Sequence, residues 1–204
     1  MTLLLGMTDL VRGADGLARC RWAVGVPIYE AYHDEEWGRP VHGDEALFER
    51  ITLEAFQSGL SWLIILRKRE AFREAFARFD IERVARFGAR DRNRLLADVG
   101  IVRNRAKIDA AINNAHALAE LRDAEGEGAF DRLIWSHQPK KRARPRRLED
   151  ISAKTPDSIA LTKALKAAGL VFVGPTTAYA AMQAVGLVDD HVRGCHVPAR
   201  TATR

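Results

Sequence analysis

Residues 53–70, LEAFQSGLSWLIILRKRE, set several chemically distinct groups side by side. Glu54 supplies a carboxylate, Gly59 and Leu60 interrupt an apolar segment, Trp62 adds an indole, and a charged run closes the stretch. Taken alone, Glu54 also reads as a solvated helix residue, and Trp62 and Trp22 also read as core residues, while Trp37 is expected to be core. A second constellation sits at the chain ends. Cys20 and His33 lie near one end, and DDHVRGC places His191 and Cys195 near the other. A histidine and a cysteine four apart share one face of a helical turn, which suits two ligands of a tetrahedral metal. Two thiolates and two imidazoles form a closed zinc set, with no position left for water. The same residues also read as two buried free thiols and ordinary polar histidines. His42 and His196 are possible substitutes, His116 and His137 weaker ones.

A third pattern is LLADVGIVRNRAKI, residues 95–108. A helix ends at Asp98-Val99, Gly100 turns the chain, and a new helix begins near Arg103. Val99 and Ile101 are expected to anchor the turn. Backbone amides at the new helix start, together with Arg103, Asn104 and Arg105, make an anion site. On DNA such a site holds phosphates without reading sequence. An ordinary helix–turn–helix corner with solvated charges is the competing reading.

These groups need a scaffold, and its pattern is helical. In DEALFERITLEAF, Leu47, Ile51 and Ala55 recur every fourth residue, with Asp44 expected as N-cap. Ser61 is placed to cap a second helix from Trp62, and Gly59 to end the first. Asp80 and Asp91 are each expected to cap a shorter helix. The alanine-rich run from Asn104 carries Ile108, Ile112, Ala115 and Ala119 on one stripe. Thr155 precedes a helix with Pro156 in its first turn and Gly169 past its end. Thr176 or Thr177 opens a last helix that Gly186 closes. Short β-like runs such as LVFV are isolated, so no sheet is expected. KKRARPRR, 140–147, reads as an exposed basic loop.

The 204 residues carry 47% hydrophobic residues and a net charge of +5, so a polyanion partner is plausible on charge grounds. No run of about 18 apolar residues predicts a membrane span. The N-terminus reads as an extension, with Met7 an alternative start, rather than a signal peptide. Two cysteines point to the reducing cytoplasm.

Several segments in order — CRWAVGVPIYEAYHDEEWG, LFERITLEAFQSGLSWLIILRKRE, GIVRNRAKIDAAINNA and ALTKALKAAGLVFVGPTTAYAAMQAVGLVDDHVRGC — resemble the DNA-3-methyladenine glycosylase I family. The resemblance runs from about Cys20 to Cys195. It implies an all-α helix-hairpin-helix glycosylase fold, with zinc joining the N- and C-terminal segments through Cys20, His33, His191 and Cys195. It further implies an extension at 1–19, a single unit over 20–195 and a tail at 196–204. Within the unit, a hairpin lobe spans about 44–135 and both termini form a second lobe. The implied activity is hydrolytic excision of 3-methyladenine from double-stranded DNA containing alkylated purine, by a monomer without a lyase step. A cationic lesion base would be gripped by the Glu54 carboxylate and the Trp62 face, with Tyr29, Tyr32 and Trp22 completing the wall. Gly59 and Leu60 would plug the gap left in the duplex, and Gly100, Arg103, Asn104 and Arg105 would hold phosphate. Asp189 in VDDHV is a rival carboxylate, and Lys107 a poor fit to a lyase nucleophile. Ala55-Phe56 departs from the Gly-Gln of some relatives, which is expected to reshape the pocket. A glycosylase for another damaged purine and a non-catalytic lesion-binding module are the alternatives.

Overall fold

The computed structural model describes residues 9–140 and 143–199; Met7, Lys141, Arg142 and the end of the tail lie outside them. Two short strands come first, β1 (Leu10–Arg12) and β2 (Ala18–Cys20), paired antiparallel with Leu10 opposite Cys20. This ribbon corrects the expectation of no sheet. Three-residue strands are too short for a period-two pattern to show. Nine α-helices follow among the described residues: α1 (Pro27–Glu35), α2 (Asp44–Gln57), α3 (Trp62–Ala75), α4 (Ile81–Ala85), α5 (Ala89–Ala97), α6 (Arg105–Glu125), α7 (Ala129–Trp135), α8 (Pro156–Ala167) and α9 (Pro175–Ala184).

Helix α2 is the hub, packing against α3, α6, α7 and α9, while α6 also runs along α4 and α5. The core between them is aromatic. Phe56 meets Phe72 at 4.7 Å, Phe76 stacks on Phe79 at 5.7 Å, and Phe48 closes on Phe79 at 5.8 Å between ring centroids. Each fully buried phenylalanine contributes about 1.5–3 kcal/mol of burial. Phe56 is therefore a core residue of the α2–α3 contact, and the expected influence on the pocket does not come from its ring.

The helix starts are set partly as expected. Asp80 accepts from Arg83 N at 2.9 Å, and Thr155 from Ser158 N at 3.2 Å. Ser61 occupies the cap position of α3 but makes no side-chain cap bond. Asp44 and Asp91 are not caps. Gly43 precedes α2, and the Asp44 carboxylate instead accepts Asp131 N at 2.9 Å, tying α2 to α7. Gly88 precedes α5, and Asp91 reaches back to accept Gly88 N at 3.2 Å. Likewise α9 starts at Pro175, ahead of Thr176. Gly186 ends α9 with φ +73°, and a Cβ there would lie 2.4 Å from the Arg39 carbonyl carbon. That close approach lets residues 38–41 pair with α9, through Gly38 N to Gln183 O at 3.0 Å and Val41 N to Val185 O at 3.1 Å.

Candidate functional site

The carboxyl of Glu54 lies in the last turns of α2, only 6% exposed and without a hydrogen-bond partner among the described residues. Burial raises its pKa to about 8, against the pull of Arg50 one turn earlier. An acid held this way is mostly protonated at neutral pH and takes up charge only when a cation arrives. Around it stands an aromatic wall. Tyr32 from α1 faces Trp62 at 5.2 Å, and burial, with Glu54 nearby, drives the Tyr32 hydroxyl well above its ordinary value. Trp22 meets Tyr29 edge-on at 5.7 Å and Trp37 at 5.0 Å. Trp22, Tyr29 and Trp62 are only partly buried and pack on the enclosed Tyr32, Trp37 and Leu66. Trp37, at 8% exposure, is core as expected. Glu54 and the four aromatic residues named with it thus share one neighbourhood.

Charge here is organised by residues that the sequence reading did not single out. Glu36 accepts from Arg50 at 2.5 Å and from Arg69 at 2.7 and 2.8 Å. Burial would raise Glu36, but those two arginines hold it down at about 2. Arg50 Nη1 and Trp62 Nε1 are buried with no partner. Unsatisfied buried donors are uncommon in folded proteins. The signal for Arg50 lay in its i,i+4 spacing to Glu54, which places both on one face of α2.

Beyond α2 the chain turns through Gly59, at φ +79°, and presents Leu60 at 39% exposure. This tip is tied to the hairpin from below. The Lys107 ammonium donates to Phe56 O at 2.8 Å and Ser58 O at 2.6 Å. Its three donors largely committed, and its pKa lowered by burial, Lys107 acts as a strut between α6 and the end of α2. In the hairpin, Asp98 accepts Gly100 N at 2.7 Å, and Lys68 donates to the carbonyls of Val99 and Gly100 at 2.8 and 3.1 Å. Ile101 anchors the turn, 3% exposed, but Val99 does not: it projects at 73%. Arg103 and Arg105 are exposed, while Asn104 caps α6 by accepting Lys107 N at 3.1 Å.

The chain ends converge. Donor atoms of Cys20, His33 and Cys195 lie within 4.8 Å of one another, all buried. His191 joins by ring contact with His33 at 4.8 Å, and its Nε2 lies 3.3 Å from the His33 carbonyl. His191 and Cys195 sit in irregular backbone, not in a helical turn; Cys195 N closes a turn on Val192 O at 2.9 Å. Each imidazole has its Nδ1 on a carboxylate, His33 on Asp34 at 2.7 Å and His191 on Asp189 at 2.9 Å. That arrangement leaves His33 Nε2 toward the thiols, 3.5 Å from Cys195 Sγ, while His191 Nε2 rests against the His33 carbonyl and stands beside the three gathered donors. Both cysteines are free thiols, and Cys195 is held well below its ordinary value by the hydrogen bond from Cys20. Asp189 is spent on this clamp. Burial would raise it, but His191 and Arg144 hold it at about 2. His42 is elsewhere, stacked on Trp135 at 4.5 Å, whereas His196 reaches the second rank through Asp34 at 2.9 Å.

The family described as methyladenine glycosylase matches residues 22–198. The chain belongs to the methyladenine glycosylase family. It is 46% identical over 182 residues to "DNA-3-methyladenine glycosylase 1" of Escherichia coli, covering 88% of this chain and 96% of that protein. The match to "DNA-3-methyladenine glycosylase" of Haemophilus influenzae is 44% over 187 residues, 90% and 98% of the two chains. The solved 3-methyladenine DNA glycosylase I of Staphylococcus aureus superposes with a TM-score of 0.83 at 35% identity, covering 90% of this chain and 98% of that one. A tyrosine-to-phenylalanine variant of 3-methyladenine DNA glycosylase I in complex with 3-methyladenine superposes at 0.81, with 34% identity over 90% and 99%. In this methyladenine glycosylase, Glu54, Trp62 and the hairpin all fall inside the matched span. The β1–β2 ribbon precedes it.

Proposed function

We propose that this chain excises 3-methyladenine from alkylated duplex DNA by hydrolysis, with Glu54 as the acid that receives the flipped base. The observation that carries the reading is the buried, partnerless Glu54 carboxyl, one turn from the unsatisfied Arg50 and beside Tyr32, which in turn faces Trp62. Methylation at N3 makes the base cationic, so its glycosidic bond is weak and the base departs neutral. The protein's work is extraction and capture. Trp62 offers a stacking face, worth about 1–3 kcal/mol per base. Glu54 accepts hydrogens from the base edge and favours its positive charge. Enclosure of Glu54 means that the aromatic wall opens for the base to enter. Leu60 fills the gap left in the duplex, and Gly100, Arg103 and Arg105 hold the phosphates beside it. Lys107, bound to two carbonyls, forms no covalent intermediate, so the chemistry ends at base release.

The clamp fits a structural zinc ion, held by Cys20, His33, His191 and Cys195. Its support is the buried cluster of two free thiols and the His33 imidazole, with the His191 ring packed beside it and both imidazoles oriented by carboxylates. Free thiols also suit the reducing cytoplasm, and one protomer supplies every group of the pocket, which favours a monomer.

Single-turnover release of free base from a duplex with one 3-methyladenine tests the reading. Release there, with none from uracil or 8-oxoguanine duplexes, is expected. Tight binding without release would make the chain a lesion-binding module, and release from the other duplexes would reassign the substrate.

A further inference from the structure

A groove of about 880 Å³ opens beside the metal clamp, away from the base pocket's own residues. Three remote segments line it: the β1–β2 ribbon with Arg21, residues 146–149, and residues 192–194. Five arginines face it, Arg12, Arg21, Arg146, Arg147 and Arg193, against the acids Asp9 and Glu149. The acids are already engaged, Asp9 with Arg21 at 3.1 Å and Glu149 with Arg147 at 2.6 Å. Arg12 donates to the Gly16 carbonyl at 2.8 Å. Among the described residues, Arg146 and Arg193 have no carboxylate partner, and both are exposed.

A basic run on a free loop is usually a solvated face. This one is anchored. Leu148 N donates to Asp9 Oδ2 at 3.3 Å, and Arg193 N to Pro145 O at 2.8 Å. Behind the wall, Arg144 pairs with Asp189 at 2.8 Å and donates to Val197 O at 2.7 Å and Pro198 O at 3.0 Å. The guanidinium forks are therefore presented on a fixed concave surface, which suits phosphate oxygens. The groove also abuts the pocket in the chain: Arg21 lines one, and Trp22 the other.

We propose that this groove holds the phosphodiester backbone of the DNA duplex beside the lesion, with Arg146 and Arg193 as its phosphate contacts. The proposal rests on the glycosylase reading. It also adds to it, because the ribbon that forms one wall lies before the span matched to the family. The test is equilibrium binding of an undamaged duplex across a salt series, for the full chain and for the double variant Arg146→Ala/Arg193→Ala. Loss of two phosphate contacts makes the slope of log affinity against log salt shallower by about 1.8. The Arg146→Lys/Arg193→Lys variant keeps most of the slope. An unchanged slope in the alanine variant overturns the proposal. So does an equal loss in the lysine variant, which would mark a structural role. Saturable binding of inorganic pyrophosphate, lost in the alanine variant while the DNA slope persists, assigns the groove to a free anion and also overturns it. Failure of the wild type to release 3-methyladenine would sink the functional reading alone, since the salt series uses undamaged DNA.

Discussion

At the level of single residues, the pocket trades stability for readiness. Glu54 is buried with a pKa of about 8, so the folded state holds its proton more tightly than the unfolded chain does. Stability from this group is present below the unfolded value and is lost as pH climbs toward 8. Glu54→Gln removes that loss. Its unfolding free energy relative to wild type is expected to rise steadily between pH 5 and pH 8 and to level off above, by an amount on the order of a few kcal/mol at most, read as a parallel rise in relative melting temperature. Base release by the same variant should fall at least about 100-fold, because the amide cannot take up charge opposite a cationic base. In the wild type, kcat/KM for excision should rise with pH through a limb near 8, and the limb should vanish in the variant. Asp189→Asn is expected to leave the limb in place and to lower thermal stability instead, since Asp189 orients His191 and pairs with Arg144. A pH limb that followed Asp189 would reverse the assignment. Glu54 and Trp62 were visible in the sequence as types at a spacing. Arg50 had only its i,i+4 spacing to Glu54 to mark it, and Glu36 had nothing, because an ion pair between α2 and the loop after α1 leaves no local pattern.

At the level of elements, the helices were legible and their junctions were not. Periodicity exposes an apolar face, but Asp44 and Asp91 look like caps and serve instead as links to α7 and to Gly88. The junction that matters most for function is the strut from Lys107 to the end of α2. It fixes the Gly59-Leu60 tip relative to the hairpin, so the proposed plug and the proposed phosphate site move as one body. Lys107→Met keeps the stem's packing but strands the Phe56 and Ser58 carbonyls. A cost of about 1–3 kcal/mol is expected in denaturant unfolding. Excision from duplex DNA should fall more than excision from a single-stranded substrate, because only the duplex needs its gap filled; equal losses would show that the strut serves the pocket instead. Gly186 is a second such junction. Gly186→Ala sets a Cβ against the Arg39 backbone at a positive φ, and a loss above about 2 kcal/mol follows.

At the level of the whole molecule, the two chain ends are brought together on one side, and the site depends on their staying there. Trp22 and Tyr29 come from the N-terminal segment, next to Cys20 and His33, while His191 and Cys195 come from the far end. Metal at the clamp would close a loop of nearly the whole chain. Closing a loop of that length stabilises by about 5 kcal/mol in the chain-entropy account, and a metal that binds only the folded state adds to this through its own affinity. Stripping metal with a strong chelator should therefore lower the melting temperature by many degrees, and re-addition of zinc should restore it. Metal content of the purified protein should be near one zinc per chain, falling sharply in Cys20→Ser and in Cys195→Ser. Since the proposed ion has four protein ligands and no water, base release by chelated protein held well below its melting point should persist at a reduced level, with the loss appearing chiefly in KM as Trp22 and Tyr29 loosen. Abolition of kcat with the fold intact would instead make the ion part of the chemistry.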